Sequence, residues 1–183
     1  VNVLVLASGG IDSTACIAFY KDLNANVSAL FVNYGQAAAE QERIAVRGAC
    51  ESLGVSLQEV AIESHVRFGG GAILGRNAML YMVALQFGQP SAHQVSAGIH
   101  AGTPYIDCSQ SFLDKINAIY DLYSNGAIVA VAPFIDWDKR KIWEASKSLK
   151  SPIELTYSCE LGFEQPCKMC DSCKDLEALY ALS

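Results

Sequence analysis

The run Val3-Leu4-Val5-Leu6-Ala7 is apolar at every position and stops at Ser8-Gly9-Gly10, after which Ile11-Asp12-Ser13-Thr14 opens a helical pattern. A strand with one wet face alternates apolar and polar side chains. A strand with no polar member is covered on both faces, as in a parallel sheet flanked by helices. The rest of the chain repeats this arrangement: short apolar runs at 2–6, 27–33, 57–62, 94–98 and 128–132 alternate with helical patterns at 11–23, 39–53, 77–87, 111–123 and 139–149. Apolar residues at 45, 46, 49, 50 and 53 mark one face of the second helix. The βαβαβαβαβα order predicts an α/β fold, a doubly wound and mostly parallel five-stranded sheet, with ligands held beyond the carboxyl ends of the strands. No internal repeat or low-complexity segment interrupts it, and Gly69-Gly70-Gly71 reads as a flexible loop.

The composition suits that reading. With 183 residues, 51% hydrophobic and 17% charged, the chain can bury a sizeable core as one compact domain. Its net charge of −6 argues against a broad nucleic-acid-binding surface, while leaving room for a local basic cleft. No apolar stretch approaches the ~20 residues that span a bilayer, and no secretion signal is visible. Of seven cysteines, Cys16, Cys50 and Cys108 are scattered, while Cys159, Cys167, Cys170 and Cys173 crowd together. Crowded C-x-x-C spacings without a secretion signal read as metal ligands in a reducing cytoplasm, not as a disulfide framework.

A strand, then S-G-G-x-D-S, then a helix has a specific physical use. Glycines let successive backbone N–H groups converge, and the helix N-terminus adds partial positive charge, so the loop can hold a phosphate. Ser8 and Ser13 add hydroxyl donors, and Asp12 could hold magnesium on the phosphates. The same residues also make an ordinary turn with Asp12 or Ser13 as helix cap. Neither G-x-x-x-x-G-K-[ST] nor G-x-G-x-x-G follows this strand.

At the other end, Cys159, Cys167, Cys170 and Cys173 have the spacing C-x7-C-x2-C-x2-C. Four thiolates at this density match tetrahedral zinc in a closed, structural site; an iron–sulfur cluster has the same ligand count. Such a site would tie down a segment too small for a core of its own.

SGGIDS resembles the pyrophosphate-binding loop of the N-type ATP pyrophosphatases, which split ATP into AMP and pyrophosphate. Taken with Thr156-Tyr157-Ser158-Cys159 and the cysteine spacing, nearly the whole chain resembles the 7-cyano-7-deazaguanine (preQ0) synthase family. Tyr34-Gly35-Gln36, Gly75-Arg76-Asn77, Tyr105-Ile106-Asp107-Cys108, Pro133 and Lys139 fall in that family's order. The resemblance implies an adenine nucleotide alpha hydrolase-like fold, with an ATP-pyrophosphatase domain at 1–150 and a zinc-binding segment at 151–183 packed on it. It implies an ATP-dependent carbon–nitrogen ligase, cytoplasmic and homodimeric. Such an enzyme adenylates the carboxylate of 7-carboxy-7-deazaguanine, takes ammonia to the amide, and reaches the nitrile after a second activation.

By the same resemblance Ser8, Gly9, Gly10, Asp12, Ser13 and Gly98 bind ATP, and Asp12, Arg76 and Lys139 act in catalysis. Arg76, Asn77, Tyr105 and Asp107 meet the substrate. Four of these positions also have plainer readings: Arg76 as a helix-start ion pair, Lys139 as part of a solvated DWDKRK helix start, Asp107 as a cap on the following helix, and Gly98 as a strand-end turn.

The chain departs from the family's pattern on the substrate side. Ala37-Ala38 stands where Arg-His is usual, Gln41 stands near an expected Glu, Ile106 and Ser109 replace a proline and an arginine, and Asp175 replaces an arginine. The loop from 62 to 75 and the segment before Tyr105 are short. These losses admit a variant ligase that couples the activated acid to another amine, on a protein or nucleic acid. Two further alternatives are a non-catalytic nucleotide-binding scaffold and a tRNA-modifying ATP pyrophosphatase. The intact SGGIDS opposes the scaffold; the acidic charge, and the lack of a cysteine placed near SGGIDS as a sulfur relay, oppose the tRNA enzyme.

Overall fold

The computed structural model describes residues 1–63, 65–88 and 91–181. Residue 64 of the loop after the third strand, and residues 182 and 183 of the C-terminal segment, therefore lie outside the described residues. Five strands, β1 (Asn2–Leu6), β2 (Asn26–Asn33), β3 (Ser56–Ala61), β4 (Gln94–Ala97) and β5 (Val129–Val131), form one sheet in the order β3-β2-β1-β4-β5. Every pairing is parallel, with Leu4 opposite Ser28 on one side and Val95 on the other. Five helices alternate with the strands: α1 (Ile11–Asp22), α2 (Ala39–Leu53), α3 (Arg76–Phe87), α4 (Gln110–Ser124) and α5 (Lys139–Ser148). A sixth, α6 (Asp171–Tyr180), follows the cysteine cluster and was not expected.

The continuous apolar strand β1 behaves as its sequence requires. Val3, Val5 and Ala7 face one side with Ile17, Tyr20, Val46 and Ile142, while Leu4 and Leu6 face the other with Tyr81, Ile116 and Tyr120. Period-two alternation thus feeds two cores, one under α1, α2 and α5 and one under α3 and α4. On α2 the expected stripe is buried at Ala45, Val46, Ala49 and Cys50, with Leu53 at its edge. Gly54, at φ +63, ends that helix in the left-handed conformation that non-glycine residues rarely adopt. Edge strand β5 is shielded by Asn117, whose side-chain amide exchanges two hydrogen bonds with Ala130, at 2.9 and 2.8 Å.

A third, small apolar cluster joins Ile11, Trp143 and Leu179 with Ile153 and Leu176. It seats α6 on α1 and α5, so the cysteine-bearing segment has an apolar foot of its own. The chain leaves β1 for β2 and β3 on one side and returns past it to β4 and β5, which makes the carboxyl ends of β1 and β4 the topological switch point.

Candidate active site

At that switch point a cavity of about 540 Å³ opens, lined by Ser8, Gly10, Asp12, Ser13, Arg76, Asn77, Gly98, Tyr105 and Lys139 among others. Nine residues singled out from the sequence, scattered from position 8 to 139, therefore converge on one space. Gly9 and Asp107 do not line it; each supports a neighbour that does.

The loop after β1 is shaped by close approach. Gly9 has φ +76, and a Cβ there would fall 2.7 Å from Val46 N, 2.8 Å from Ala45 Cβ and 2.8 Å from Glu42 O. Only glycine lets α2 lie this close. Ser13 Oγ donates to Gly10 O at 3.1 Å and accepts from Ser8 N at 3.2 Å, closing the loop on itself. The helix-cap reading of Asp12 and Ser13 is not what forms: the N-cap of α1 is Gly10, which contributes no side-chain cap, and Asp12 lies in the first turn. The helix therefore presents an N-terminal turn without a side-chain cap, partially positive, toward the cavity.

Asp12 accepts a hydrogen bond at Oδ2 from Lys139 Nζ, and His100 Nε2 lies 3.8 Å from the same oxygen. Asp12 Oδ1 is buried with no hydrogen-bond partner among the described residues. Lys139 is thus drawn inward, although its neighbours behave as a solvated helix start: Arg140 pairs with Glu144, and Lys141 lies over the Trp137 ring at 4.3 Å. Asp138 caps α5 by accepting from Lys141 N at 2.8 Å, which orients Lys139. At Gly98 a Cβ would meet Asp12 C and O at 2.7 Å. Its glycine lets the end of β4 touch the first turn of α1, which is more than a strand-end turn requires.

Across the cavity, Arg76 opens α3 and lies by Tyr34 and Glu42. Burial pushes both the Tyr34 phenol and the Glu42 carboxyl up, and the Arg76 charge opposes this in each case. Gln36 Nε2 donates to Glu42 Oε2 at 2.8 Å and to Val32 O at 3.2 Å. Near the position where a Glu was expected, Glu42, one residue after Gln41, supplies a carboxyl to the cavity. Asn77 receives support from below: its N–H donates to Asp107 Oδ2 at 3.3 Å and its Nδ2 to Asp107 O at 3.2 Å. Asp107 thus braces the first turn of α3, and the cap of α4 is Ser109, accepting from Phe112 N at 3.2 Å. The serine found where an arginine was expected has a structural use.

Four Sγ atoms, of Cys159, Cys167, Cys170 and Cys173, lie within 4.8 Å of one another. Tetrahedral zinc with Zn–S of about 2.3 Å places its sulfurs about 3.8 Å apart; Cys167 and Cys173 are at 3.8 Å. Lys168 turns through φ +58, which lets Met169 N and Cys170 N donate to Cys167 Sγ at 3.4 and 3.3 Å. Burial raises the Cys159 thiol, but backbone N–H groups of Cys167 and Leu161 outweigh it and bring it down to about 6. The donor set fits a metal ion.

The cysteine segment also reaches the cavity. Tyr157 N donates to Gly9 O at 2.9 Å. Glu160 accepts from Gly71 N at 2.7 Å with one oxygen and from Ser172 N and Oγ with the other, at 3.2 and 2.8 Å. The glycine cluster expected to be a free loop is therefore fastened to this segment at Gly71. Gly162, at φ +75, packs where a Cβ would fall 2.2 Å from Ala37 O, so the backbone of this segment lies against that of Ala37 and Ala38. Asp175 lines the cavity wall.

Several cavity residues escaped sequence reasoning: His100, Glu42, Glu160 and Cys108. Cys108 is far from SGGIDS in sequence yet shares its cavity, contacted by Asn77 Nδ2 at 3.8 Å, so chain distance did not measure spatial distance. His100 could have been flagged, since it follows Gly98 by two residues at the carboxyl end of a switch-point strand.

Comparison with known proteins bears on the family and the fold. A family model described as "Queuosine biosynthesis protein QueC" matches residues 2–75 and 72–181. The chain is 28% identical over 200 aligned positions to the 7-cyano-7-deazaguanine synthase of Campylobacter concisus (strain 13826), covering 94% of this chain and 90% of that protein. It is 27% identical over 212 positions to that of Methanothermobacter thermautotrophicus, covering 100% and 95%. Among solved structures, the U34-tRNA thiolase NcsA of Methanococcus maripaludis, described with its 4Fe–4S cluster, superposes with a TM-score of 0.57 at 15% identity. That match covers 100% of this chain and spans 66% of the neighbour's length. NMN synthetase from Francisella tularensis gives 0.53 at 18% identity, over 91% and 70%. At such identities these two report the fold alone.

Proposed function

The chain belongs to the QueC family of queuosine biosynthesis proteins, and from that premise we propose that it is an ATP-dependent carbon–nitrogen ligase converting 7-carboxy-7-deazaguanine to 7-cyano-7-deazaguanine with release of AMP. The observation that carries this reading is the loop Ser8-Gly9-Gly10 with the first turn of α1, uncapped by any side chain, opening onto a switch-point cavity beside the Asp12–Lys139 pair. Backbone N–H groups and a helix N-terminus grip pyrophosphate without base or sugar contacts, which suits a nucleotide cleaved between its α- and β-phosphates.

The carboxylate oxygen attacks the α-phosphorus and pyrophosphate leaves, giving an acyl adenylate. Ammonia adds to the acyl carbon and AMP departs with the former carboxylate oxygen, leaving the amide. The amide oxygen then attacks the α-phosphorus of a second ATP, pyrophosphate leaves, and loss of AMP with the amide oxygen and of the two nitrogen protons gives the nitrile. In the first activation two anions must approach, carboxylate and triphosphate, so cations count most there. Lys139, on the Asp12 side, and Arg76, on the opposite wall, are the residues proposed to screen that charge. Ser8, Gly10, Ser13 and Gly98 form the ATP side, with Gly9 shaping the loop from behind; Asn77 and Tyr105 form the substrate side, and Asp107 acts through Asn77. Asp12, with Oδ1 unpartnered, is the group that would hold magnesium, which supplies charge neutralisation on the phosphates.

Zinc is the metal proposed for the four cysteines, in a structural role that fixes residues 151–183 on the ATP-binding part. No helix among the described residues is long and apolar enough to cross a membrane; a cytoplasmic homodimer accords with the family resemblance and is tested by sedimentation and fractionation. The function is tested by incubating the protein with ATP, magnesium and 7-carboxy-7-deazaguanine, with and without ammonium, followed by mass spectrometry. AMP together with the nitrile is the expected result. An amide or another amine adduct as the end product would replace the nitrile synthase by a variant ligase, and absence of ATP turnover would overturn both.

A further inference from the structure

His100 stands at the carboxyl end of β4, two residues past Gly98, and is only 5% exposed. Gly102 N donates to its Nδ1 at 3.1 Å. A nitrogen that accepts a backbone N–H carries no proton, so the ring is a neutral imidazole with its hydrogen on Nε2. That nitrogen is the one aimed at Asp12 Oδ2, 3.8 Å away. The ring has little freedom to turn elsewhere. A Cβ at Gly102 would fall 2.9 Å from His100 Nδ1, 3.1 Å from its Cε1 and 3.2 Å from Lys139 N, so glycine at 102 makes room for the imidazole and the start of α5 together.

Asp12 needs such a neighbour. Lys139 reaches Oδ2 from a flexible stem, which fixes the charge but not the rotation of the carboxylate. Oδ1 is buried and unpartnered among the described residues, so a rotation would exchange the free oxygen for the engaged one. We propose that His100 is a positioning residue for Asp12: its Nε2–H, set by the Gly102 amide, faces the same Oδ2 that Lys139 engages and so holds the rotation of the carboxylate. The 3.8 Å separation is long for a hydrogen bond, as contacts in a site without its substrate often are. The inference rests on reading this cavity as an adenylating site.

Two measurements test it. In the first, AMP release is followed for wild type, His100→Leu and His100→Gln, each checked for an unchanged melting profile. Leucine keeps the bulk and loses the donor; glutamine places an amide N–H near the former Nε2. Leucine is expected to lower kcat by about 10–100-fold with a smaller change in KM for ATP, and glutamine to restore most of it. Equal kcat in wild type and His100→Leu would overturn the proposal. In the second, nitrogen-15 NMR of the histidine ring should show Nδ1 unprotonated and Nε2 protonated, with the Nε2–H resonance displaced in Asp12→Asn. A proton on Nδ1, or no response to Asp12→Asn, would overturn it as well. If wild type releases no AMP, the adenylation reading fails, and the NMR result alone decides what His100 does to Asp12.

Discussion

Lys139 Nζ donates to Asp12 Oδ2 across 127 positions of sequence, joining the first turn of α5 to the first turn of α1. Both side chains are partly exposed, at 30% and 24%, so the contact is open to a ligand from the cavity and contributes little to holding the fold. Lys139→Ala should therefore leave the melting temperature within a few degrees of wild type. It should reduce AMP release by about 10²–10³-fold, the usual cost of removing one preorganised charge from a site of this kind. Lys139→Arg should recover little, because a planar guanidinium does not replace a compact ammonium. Steady-state assays of AMP separate these outcomes; an alanine variant with full turnover would remove Lys139 from the chemistry.

The two glycines of the loop have separable uses. A Cβ at Gly9 would meet the α2 backbone at 2.7 Å in a left-handed conformation, whereas at Gly10 it would meet Ser8 Oγ and Tyr157 O at 3.5 and 3.6 Å, ordinary contact. Gly9→Ala is expected to lose about 1–3 kcal/mol of stability in denaturant unfolding. Gly10→Ala should unfold as wild type does, yet bind ATP more weakly if phosphate occupies the space beside it. Equal stability of the two variants would contradict the packing described here.

Glu42 gives a pH-dependent test. Burial raises its carboxyl, with the Gln36 hydrogen bond and then the Arg76 charge offsetting part of the shift. A carboxyl whose folded-state pKa lies above its unfolded value holds its proton more tightly when folded, so stability present below the unfolded pKa is lost as pH rises through the folded one. Glu42→Gln should accordingly melt above wild type at neutral and mildly alkaline pH. The difference should close as the pH falls into the ordinary carboxylate range. Melting curves across pH give the answer, and a gap that widens on acidification would reverse the sign.

Metal removal should be felt at both ends of the chain. Tyr157 N–H holds Gly9 O, and Glu160 holds Gly71, so the cysteine segment braces the Ser8–Gly10 loop and the glycine cluster together. Purified protein should carry about one zinc per chain by elemental analysis. A strong chelator should lower the melting temperature and weaken ATP binding in parallel. Iron with acid-labile sulfide would replace zinc by a cluster, and unchanged melting after complete metal removal would contradict a structural site.

What the sequence made legible divides along physical lines. β1 was readable to the residue because a strand buried on both faces has no polar member, and α2 because Ala45, Val46, Ala49 and Cys50 keep one face. The loop was readable because Gly9 and Gly98 serve backbone approach, which no other residue permits. α6 was missed because DSCKDLEALY is crowded with two metal-spaced cysteines and charges, and its helicity depends on Leu176 and Leu179 meeting Ile11 and Trp143. Asp107 reads in the sequence as a cap on α4, but Ser109 takes that place and Asp107 instead braces Asn77, thirty positions earlier, a contact only the fold creates. His100 had no motif around it; only the crossing of β4 past β1 brings its ring to Asp12.

A carboxylate activated on the α-phosphate of ATP passes one of its oxygens to AMP. Incubation of 7-carboxy-7-deazaguanine labelled with oxygen-18 in its carboxylate, together with ATP, magnesium and ammonium, tests it most directly by mass spectrometry of the released nucleotide. Oxygen-18 in the phosphate of AMP, with unlabelled pyrophosphate, is the predicted result. Unlabelled AMP, or ADP with labelled phosphate, would contradict the account.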